Sequence, residues 1–314
     1  MKDSFRVAAV VNSAAGGDPD GVVAALRAVG TATVDQVDTA APGDAADLAY
    51  KLAVGDTPPD IIVSVGGDGT VCEVVTGLHR ARMSGAVAVP PLLVAPAGTG
   101  NSTYRGLWND APWPDVAAQA LRGEADTRII DLARMAHNDH VVVLGSGSGL
   151  FAASLLAIRN RPEKGRDLLM TAALAAMKTY VPYEGRVLVD DEVVYAGGIV
   201  ETIVAGFRYR GGLLKLVPKS IVDDGRLDIT IVTTAASMPA FAQAAMGGEV
   251  YEVPGIHWGR GTRITVERVD GQPILFEHDG EMMPEDRPSY ELAVLPGALA
   301  VLTSTEPLPW FTSR

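Results

Sequence analysis

Three short stretches carry residue types able to do chemistry. In Ile61-Ile62-Val63-Ser64-Val65-Gly66-Gly67-Asp68-Gly69-Thr70 an apolar run too short for a helix meets a glycine-rich corner, and Val71-Cys72-Glu73-Val74-Val75 continues with helical character. Glycine has no Cβ, so a bulky anion can come close to the backbone at positions 66, 67 and 69. The helix start would aim unpaired N–H groups and the positive end of its dipole at that anion. Asp68 has two readings, turning its own loop or serving a nucleotide and its metal, and the second is favoured. The other two stretches are acidic. Asp223-Asp224-Gly225-Arg226-Leu227-Asp228 and Phe276-Glu277-His278-Asp279-Gly280-Glu281 each read, alone, as a polar turn at a strand end, where Asp-Gly pairs are common. For the first, a cation site is the competing reading, and both stay open on the residues alone.

The elements that must position these corners follow from pattern. Strands rich in β-branched residues are expected at 7–11, 31–37, 61–65 and 91–95, with helices opening at Asp18-Pro19 and Gly43-Asp44 and a further helix at 114–122. Alternating strand and helix imply a parallel sheet covered on both faces. Such sheets bind ligands at the carboxyl ends of their strands. Asn12-Ser13, Asp38-Thr39, Gly66 to Thr70 and Gly98-Thr99-Gly100-Asn101 all fall there, and each is rich in hydroxyls, amides or glycine. A polyphosphate site built from all four is predicted. Beyond about residue 128 short strands are expected at 127–133, 140–144, 186–189, 193–195, 199–205, 227–232, 263–266, 274–277 and 291–295, separated by Gly, Asp and Pro turns. Helices are expected within 150–180 and at 239–246. The fold class is thus α/β: a doubly wound parallel-sheet nucleotide domain over residues 1–128, followed by a β-sandwich domain over 129–296.

Composition removes several classes. A formal charge of −12 over 314 residues argues against a nucleic-acid partner. The single cysteine, Cys72, cannot form an internal disulfide and fits a reducing compartment. No secretory apolar segment opens the chain, and the greasiest later stretch, 168–181, is too short to span a bilayer, so a cytoplasmic protein is expected. His137-Asn138-Asp139-His140 reads as a hairpin turn. Gly145-Ser146-Gly147-Ser148-Gly149 fails as a dinucleotide fingerprint because Leu150 stands in the third glycine position, and no Gly-Lys-Ser/Thr occurs anywhere.

Gly66-Gly67-Asp68-Gly69-Thr70-Val71-Cys72-Glu73-Val74-Val75 resembles the nucleotide motif of the diacylglycerol kinase catalytic family, which includes sphingosine, ceramide and bacterial lipid kinases. NAD kinases share its Gly-Gly-Asp-Gly-Thr core. Further motifs recur in the family's order. Asn12 with Gly16 is similar to Asn-Pro-x-Ser-Gly, with Ser13 in place of Pro. Thr39 precedes Gly43-Asp44-Ala45, and Pro96-Ala97-Gly98-Thr99-Gly100-Asn101 looks like Pro-x-Gly-Thr-x-Asn. Gly211-Gly212, Pro218 and Asp223-Asp224-Gly225-x-Leu227-Asp228 follow, then Asp279-Gly280-Glu281. Three positions depart: Cys72 where Asn is usual, Ser102 where Asp is usual, and no Asp after Phe151.

The resemblance implies an ATP- and Mg²⁺-dependent lipid kinase acting on a hydroxyl of diacylglycerol, ceramide, a sphingoid base or a related lipid. Carried over, ATP contacts fall on Asn12, Thr39, Gly66, Gly67, Asp68, Gly69, Thr70, Val71, Cys72 and Thr99. A structural Mg²⁺ would take Asp224 with the carbonyls of Ile221 and Arg226, a hard-oxygen set that suits it. Asp279 would be the proton acceptor, since a lipid alcohol is a poor nucleophile until a base takes its proton. The tail, 297–314, would return to the first domain. The expected partner is a lipid at a membrane surface, met transiently and peripherally. Apolar helices at 150–158 and 168–180 would face acyl chains, and the basic loop Arg159 to Arg166 would face headgroups; a solvated loop between core helices is the plain alternative. A homodimer is compatible with the sequence. Two rivals remain: an NAD kinase, although the Asn-Glu ribose-binding pair it should carry occurs nowhere in the chain, and a non-catalytic lipid- or nucleotide-binding regulator, which the three departures motivate.

Overall fold

The computed structural model describes residues 5–158, 166–284 and 286–312. The chain forms two compact units, Met1–Ile130 with Gly297–Arg314, and Asp131–Pro296. In the first, β1 (Phe5–Val11), α1 (Pro19–Ala28), β2 (Ala32–Asp38), α2 (Asp44–Val54), β3 (Ile61–Gly66), α3 (Asp68–Met83) and β4 (Leu92–Pro96) alternate as the pattern predicts. α4 (Ser102–Trp108), α5 (Trp113–Leu121) and the start of β5 (Asp126–Met135) follow. The sheet is parallel in the order β2-β1-β3-β4, with Val7 to Val11 opposite Ile61 to Val65. Every residue of β3 is buried, which is why its sequence is an apolar run, broken only by the small Ser64, rather than an alternation. Asp18 caps α1 by accepting the Gly21 N–H at 3.0 Å, with Pro19 in the first turn.

The second unit contains β6 (Val141–Val142), β7 (Ser146–Gly149), α6 (Leu150–Ile158), α7 (Arg166–Ala176), β8 (Tyr183–Val189), β9 (Glu192–Ala205), β10 (Tyr209–Arg210) and β11 (Leu214–Lys215). It continues with β12 (Leu227–Thr233), α8 (Met238–Gly247), β13 (Ile256–Gly261), β14 (Arg263–Arg268), β15 (Phe276–His278), β16 (Glu281–Met282) and β17 (Ser289–Thr303). Its pairings are antiparallel: β16-β15-β7-β9-β8-β14-β17, with β12 and then β13 on the other edge of β9. Val187, Ile199, Ile229, Ile264, Phe276 and Leu292 meet in its core.

Several expected strands differ. Residues 193–195 and 199–205 belong to one strand, β9, which changes partner from β8 to β7 along its length. The 140–144 stretch pairs only over Val141–Val142. Ser146–Gly149 is a buried strand outside the expected set, and β13 also lies outside it. The last strand is much longer than 291–295. Its first residues pair with β14, and Val301 pairs in parallel with Leu92 of β4. The tail then docks on α4, where Thr303 Oγ1 donates to the Leu107 carbonyl at 2.5 Å and the indole of buried Trp310 donates to the Gly106 carbonyl at 2.6 Å.

Candidate active site

In the first unit the strand-end loops meet backbone to backbone. A Cβ on Gly98 would collide with the Cα of Gly67, and one on Gly66 with the Thr70 side chain. A Cβ on Gly17 would lie 2.6 Å from the Ala97 carbonyl oxygen, and one on Gly16 2.7 Å from Thr99 Oγ1. Glycine is therefore required here by approach between loops. The same residues are cross-linked by side chains. Asn12 Nδ2 donates to Thr70 Oγ1 at 3.1 Å, while Asn12 Oδ1 accepts the Ala14 N–H at 3.1 Å. Asn101, in the left-handed region at φ 55°, accepts the Gly98 N–H and donates back to the Gly98 carbonyl, both at 2.9 Å. Gly69 faces open space, and among the described residues no side chain caps the first turn of α3. Its first-turn N–H groups and dipole end thus have no side-chain cap to occupy them.

The structure brings Asn12, Gly66, Gly67, Asp68, Gly69, Thr70 and Thr99 into this junction, and it gives Asp68 a third job. Its carboxylate accepts the Ser102 N–H and the Thr103 N–H at 3.0 Å each, and the Thr103 hydroxyl at 3.1 Å. It caps α4, tying the β3 loop to the β4 loop, rather than turning its own. Thr39 lies on the neighbouring loop, where its N–H donates to the Val11 carbonyl at 2.9 Å. Val71 presents nothing to this surface. Its side chain is buried and its N–H closes the helical bond to the Gly67 carbonyl at 3.1 Å. Cys72 is half-buried one residue further along α3. Sequence reasoning passed over Glu73, whose carboxylate accepts the Ala45 N–H at 3.1 Å and so caps α2 from α3.

In the second unit the Asp279 carboxylate is tied down by backbone amides. The residue sits at φ 50° between β15 and β16, half-buried overall but with its side chain covered, and Oδ2 accepts the Val143 N–H at 2.9 Å. Oδ1 accepts the N–H groups of Leu144 at 2.7 Å and Gly145 at 3.1 Å. Burial works to raise its pKa, but the nearby His278, these N–H groups and Arg210 outweigh it and hold the carboxyl below its ordinary value. His278 Nδ1 stands 3.8 Å from Asp279 Oδ2, an ion-pair distance. Burial disfavours the imidazolium, yet Asp279 and Glu277 overcome it and raise the His278 pKa. Two residues on, Glu281 is exposed.

The Asp224 turn is a compact acidic site. Asp224 Oδ1 accepts the Arg226 N–H at 3.0 Å, and Arg260 Nη1 lies 3.5 Å from Oδ2. Asp131, buried beside it, accepts the Gly225 N–H at 2.5 Å. Asp228 takes Arg260 Nε at 3.0 Å and the Trp258 indole at 2.8 Å on one oxygen. Its second oxygen is buried without a hydrogen-bond partner among the described residues. Carboxylate that is left unsatisfied beside Asp224 suits a hard cation. Among the described residues no group of three or more His, Cys, Asp or Glu side chains could by itself hold a metal. Any ion here would rely on backbone carbonyls and water, as the predicted set of Ile221, Asp224 and Arg226 does. At 137–140 the structure shows a turn, with Asp139 at φ 58° bound to Arg134 at 2.6 Å.

Residues 6–135 match the diacylglycerol kinase catalytic domain, and residues 151–303 match the YegS C-terminal NAD kinase beta sandwich-like domain. The first part of the chain thus carries a diacylglycerol kinase catalytic domain, and the second a YegS-type C-terminal domain. Relatives include a probable lipid kinase YegS-like protein of Pseudomonas aeruginosa, 28% identical over 95% of this chain and 94% of its own length. A diacylglycerol kinase of Bacillus subtilis is 27% identical over 78% of this chain and 79% of its own. Among solved structures, a Bacillus anthracis str. Sterne protein bearing the diacylglycerol kinase name superposes with a TM-score of 0.74 at 22% identity, covering 98% of this chain and all of that one. An Archaeoglobus fulgidus NAD kinase with ATP reaches 0.50 at 14% identity, over 95% and 92%. These likenesses show the shared fold. The family's sandwich-like second domain agrees with the antiparallel unit described above.

Proposed function

We propose that this protein transfers the γ-phosphoryl group of ATP to a hydroxyl of a lipid such as diacylglycerol, ceramide or a sphingoid base. The observation that carries the reading is the junction at Gly66 to Thr70, where a helix end without a side-chain cap opens onto glycines held against a second glycine loop. Such a surface suits a polyphosphate, because backbone N–H groups and the helix dipole both favour negative charge. Asn12, Asp68 and Asn101 hold the loops in place, and Thr39, Thr99 and Cys72 border them. Magnesium would bind at Asp224 with the Ile221 and Arg226 carbonyls, fixing that turn, and a second ion would travel with ATP and neutralise phosphate charge.

The base role moves from Asp279 to Glu281 in this proposal. Asp279 accepts three N–H groups and has a depressed pKa, so it is a weak proton acceptor, and its work is to anchor the corner. Glu281, exposed and two residues away, takes the alcohol proton as oxygen attacks phosphorus, a role worth about 10²–10⁴ in rate. The lipid would approach α6 and α7, on which Leu156 and Leu174 are exposed apolar side chains. Arg159, Arg161 and Lys164 of the basic loop lie outside the described residues, as does the side chain of Arg166, and their contact with anionic headgroups is proposed on sequence alone. Among the described residues no helix is long and apolar enough to cross a membrane.

The experiment is a radiolabelled-ATP assay with purified protein and Mg²⁺ against diacylglycerol, ceramide and sphingoid bases in vesicles, with NAD included. Label in a lipid supports the reading. Label in NAD overturns it in favour of the NAD kinase, and ATP binding without transfer to anything points to the regulator.

A further inference from the structure

Behind the 279–281 corner lies a buried polar cluster that phosphoryl transfer does not by itself explain. β7 runs between β15 and β9, with Glu277 opposite Gly147 and Glu201 opposite Gly149. Side chains alternate along a strand, so Glu277, Gly147, Gly149 and Glu201 share one face. The glycines leave that face bare, and the two carboxylates fold in over it. A Cβ on Gly147 would lie 3.1 Å from Glu201 Oε1 and 3.4 Å from Glu277 Oε1. Arg210 donates to Glu277 Oε1 at 2.5 Å, and Glu277 Oε2 accepts the Gly280 N–H at 3.0 Å. Glu201 Oε2 accepts the Phe151 N–H at 2.7 Å, at the start of α6. Its other oxygen is buried without a hydrogen-bond partner among the described residues.

Such a cluster is costly to bury. A buried ion pair adds little net stability, and an unmatched buried polar atom costs about 1–3 kcal/mol. What the cluster supplies is geometry. Asp279 at φ 50° and Gly280 at φ 88° are consecutive left-handed residues, a conformation that surrounding contacts must hold. Asp279 is held by the 143–145 amides and Gly280 by Glu277, so the direction in which Glu281 leaves the turn is set from both sides.

We infer that Glu277 and Arg210 are positioning residues for Glu281, and that Glu201 ties the same bracket to the first turn of α6. The inference rests on the kinase reading above. The charges are consistent with it. Burial, together with Glu277, pushes Glu201 far above the usual carboxylate range. Burial also raises Glu277, but Arg210 offsets part of that. The guanidinium of Arg210 pairs directly with Glu277, at 2.5 Å.

The test uses the full chain, Mg·ATP and the lipid that the unmodified enzyme phosphorylates best. Glu277→Gln keeps the shape and the acceptor for Gly280 but breaks the charge pair with Arg210. It should lower kcat by about 10–100-fold, the cost of a misplaced group, and leave the KM for ATP within about twofold. Arg210→Met should do the same, and the double variant should fall no further than either single one, because the pair acts as a unit. Arg186→Met, which breaks a surface ion pair with Glu267 outside the bracket, should keep kcat within about twofold. Glu277 or Arg210 variants with unmodified kcat, or a kcat loss that only tracks a smaller folded fraction by circular dichroism, would overturn the bracket. An unmodified enzyme that phosphorylates no lipid would overturn the kinase reading instead.

Discussion

Replacing Asp68 by Ala separates a scaffold role from a chemical one. The carboxylate receives two N–H donors from the first turn of α4 and one hydroxyl, all at 3.0–3.1 Å. Loss of a helix cap costs about 0.5–2 kcal/mol, and a hydrogen bond to an ionised acceptor contributes about 1.5–3 kcal/mol. The three bonds share one carboxylate at a half-buried position, and the released donors regain water, so the terms do not add. About 2–3 kcal/mol is expected for Asp68→Ala, and about 1 kcal/mol for Asp68→Asn, which retains one acceptor oxygen. In a unit of this size each kcal/mol moves the melting temperature by roughly 2–4 °C, so the Ala variant should melt roughly 4–12 °C lower. The KM for ATP should rise with it, since the cap holds the 98–103 loop against Gly67. Thermal melts followed by circular dichroism, paired with ATP kinetics, read both effects. A variant that melts with the parent while turnover collapses would refute the reasoning and return the carboxylate to the nucleotide or its metal.

Other outcomes follow from the same geometry. Glu281→Gln should cut kcat by about 10²–10⁴-fold without changing the melt, and near-normal turnover would remove Glu281 as the base. Asp279→Asn should mainly destabilise. Because the folded pKa of Asp279 is depressed, its contribution is present above the unfolded value of about 3.9 and disappears as pH falls through the lower folded value, so the gap between variant and parent should close in acid melts. Glu201 runs the other way. The unfolded chain ionises near pH 4.3, whereas burial, then Glu277, raises the pKa of Glu201 in the folded chain. The stability of Glu201→Gln relative to the parent should therefore grow by up to about 1.4 kcal/mol per pH unit above that point, and a flat difference would show Glu201 to be ionised. Gly98→Ala should abolish detectable ATP binding by equilibrium dialysis, because its methyl meets the Gly67 backbone. Finally, Mg²⁺ should raise the melting temperature of the parent and not of Asp224→Asn, and equal shifts would discard that turn as a cation site.

Much of this architecture is legible in the residues, and the gaps have physical causes. The α/β alternation shows because β3 and β4 are buried apolar runs punctuated by glycine, a local signal. α4 hides because nearly all of Ser102–Trp108 is buried, leaving no amphipathic contrast, and its cap is Asp68, far earlier in the chain. β7 hides because Ser-Gly-Ser-Gly has little strand propensity, and it exists through its neighbours β9 and β15. The corner at 279–281 was visible as a motif, but the division of labour within it was not. Which carboxylate is tied down and which is exposed depends on the amides of 143–145, some 135 positions away. Glu201 gave no signal at all. A lone acid in a strand looks like a solvent-facing position until the fold buries it.

The nucleotide unit is assembled from both extremities of the chain, and this has a consequence in time. Val301 borders β4, and the carbonyls of Gly106 and Leu107 wait for Trp310 and Thr303, donors 204 and 196 residues later. During synthesis the early segment must stay incomplete while the whole antiparallel unit is made, its β4 edge open and the underside of α4 bare. Contacts so distant form slowly, and exposed strand edges invite aggregation meanwhile. A fragment ending at residue 130 should therefore be sticky and poorly folded on its own, and co-expression with a peptide spanning 297–314 should rescue it.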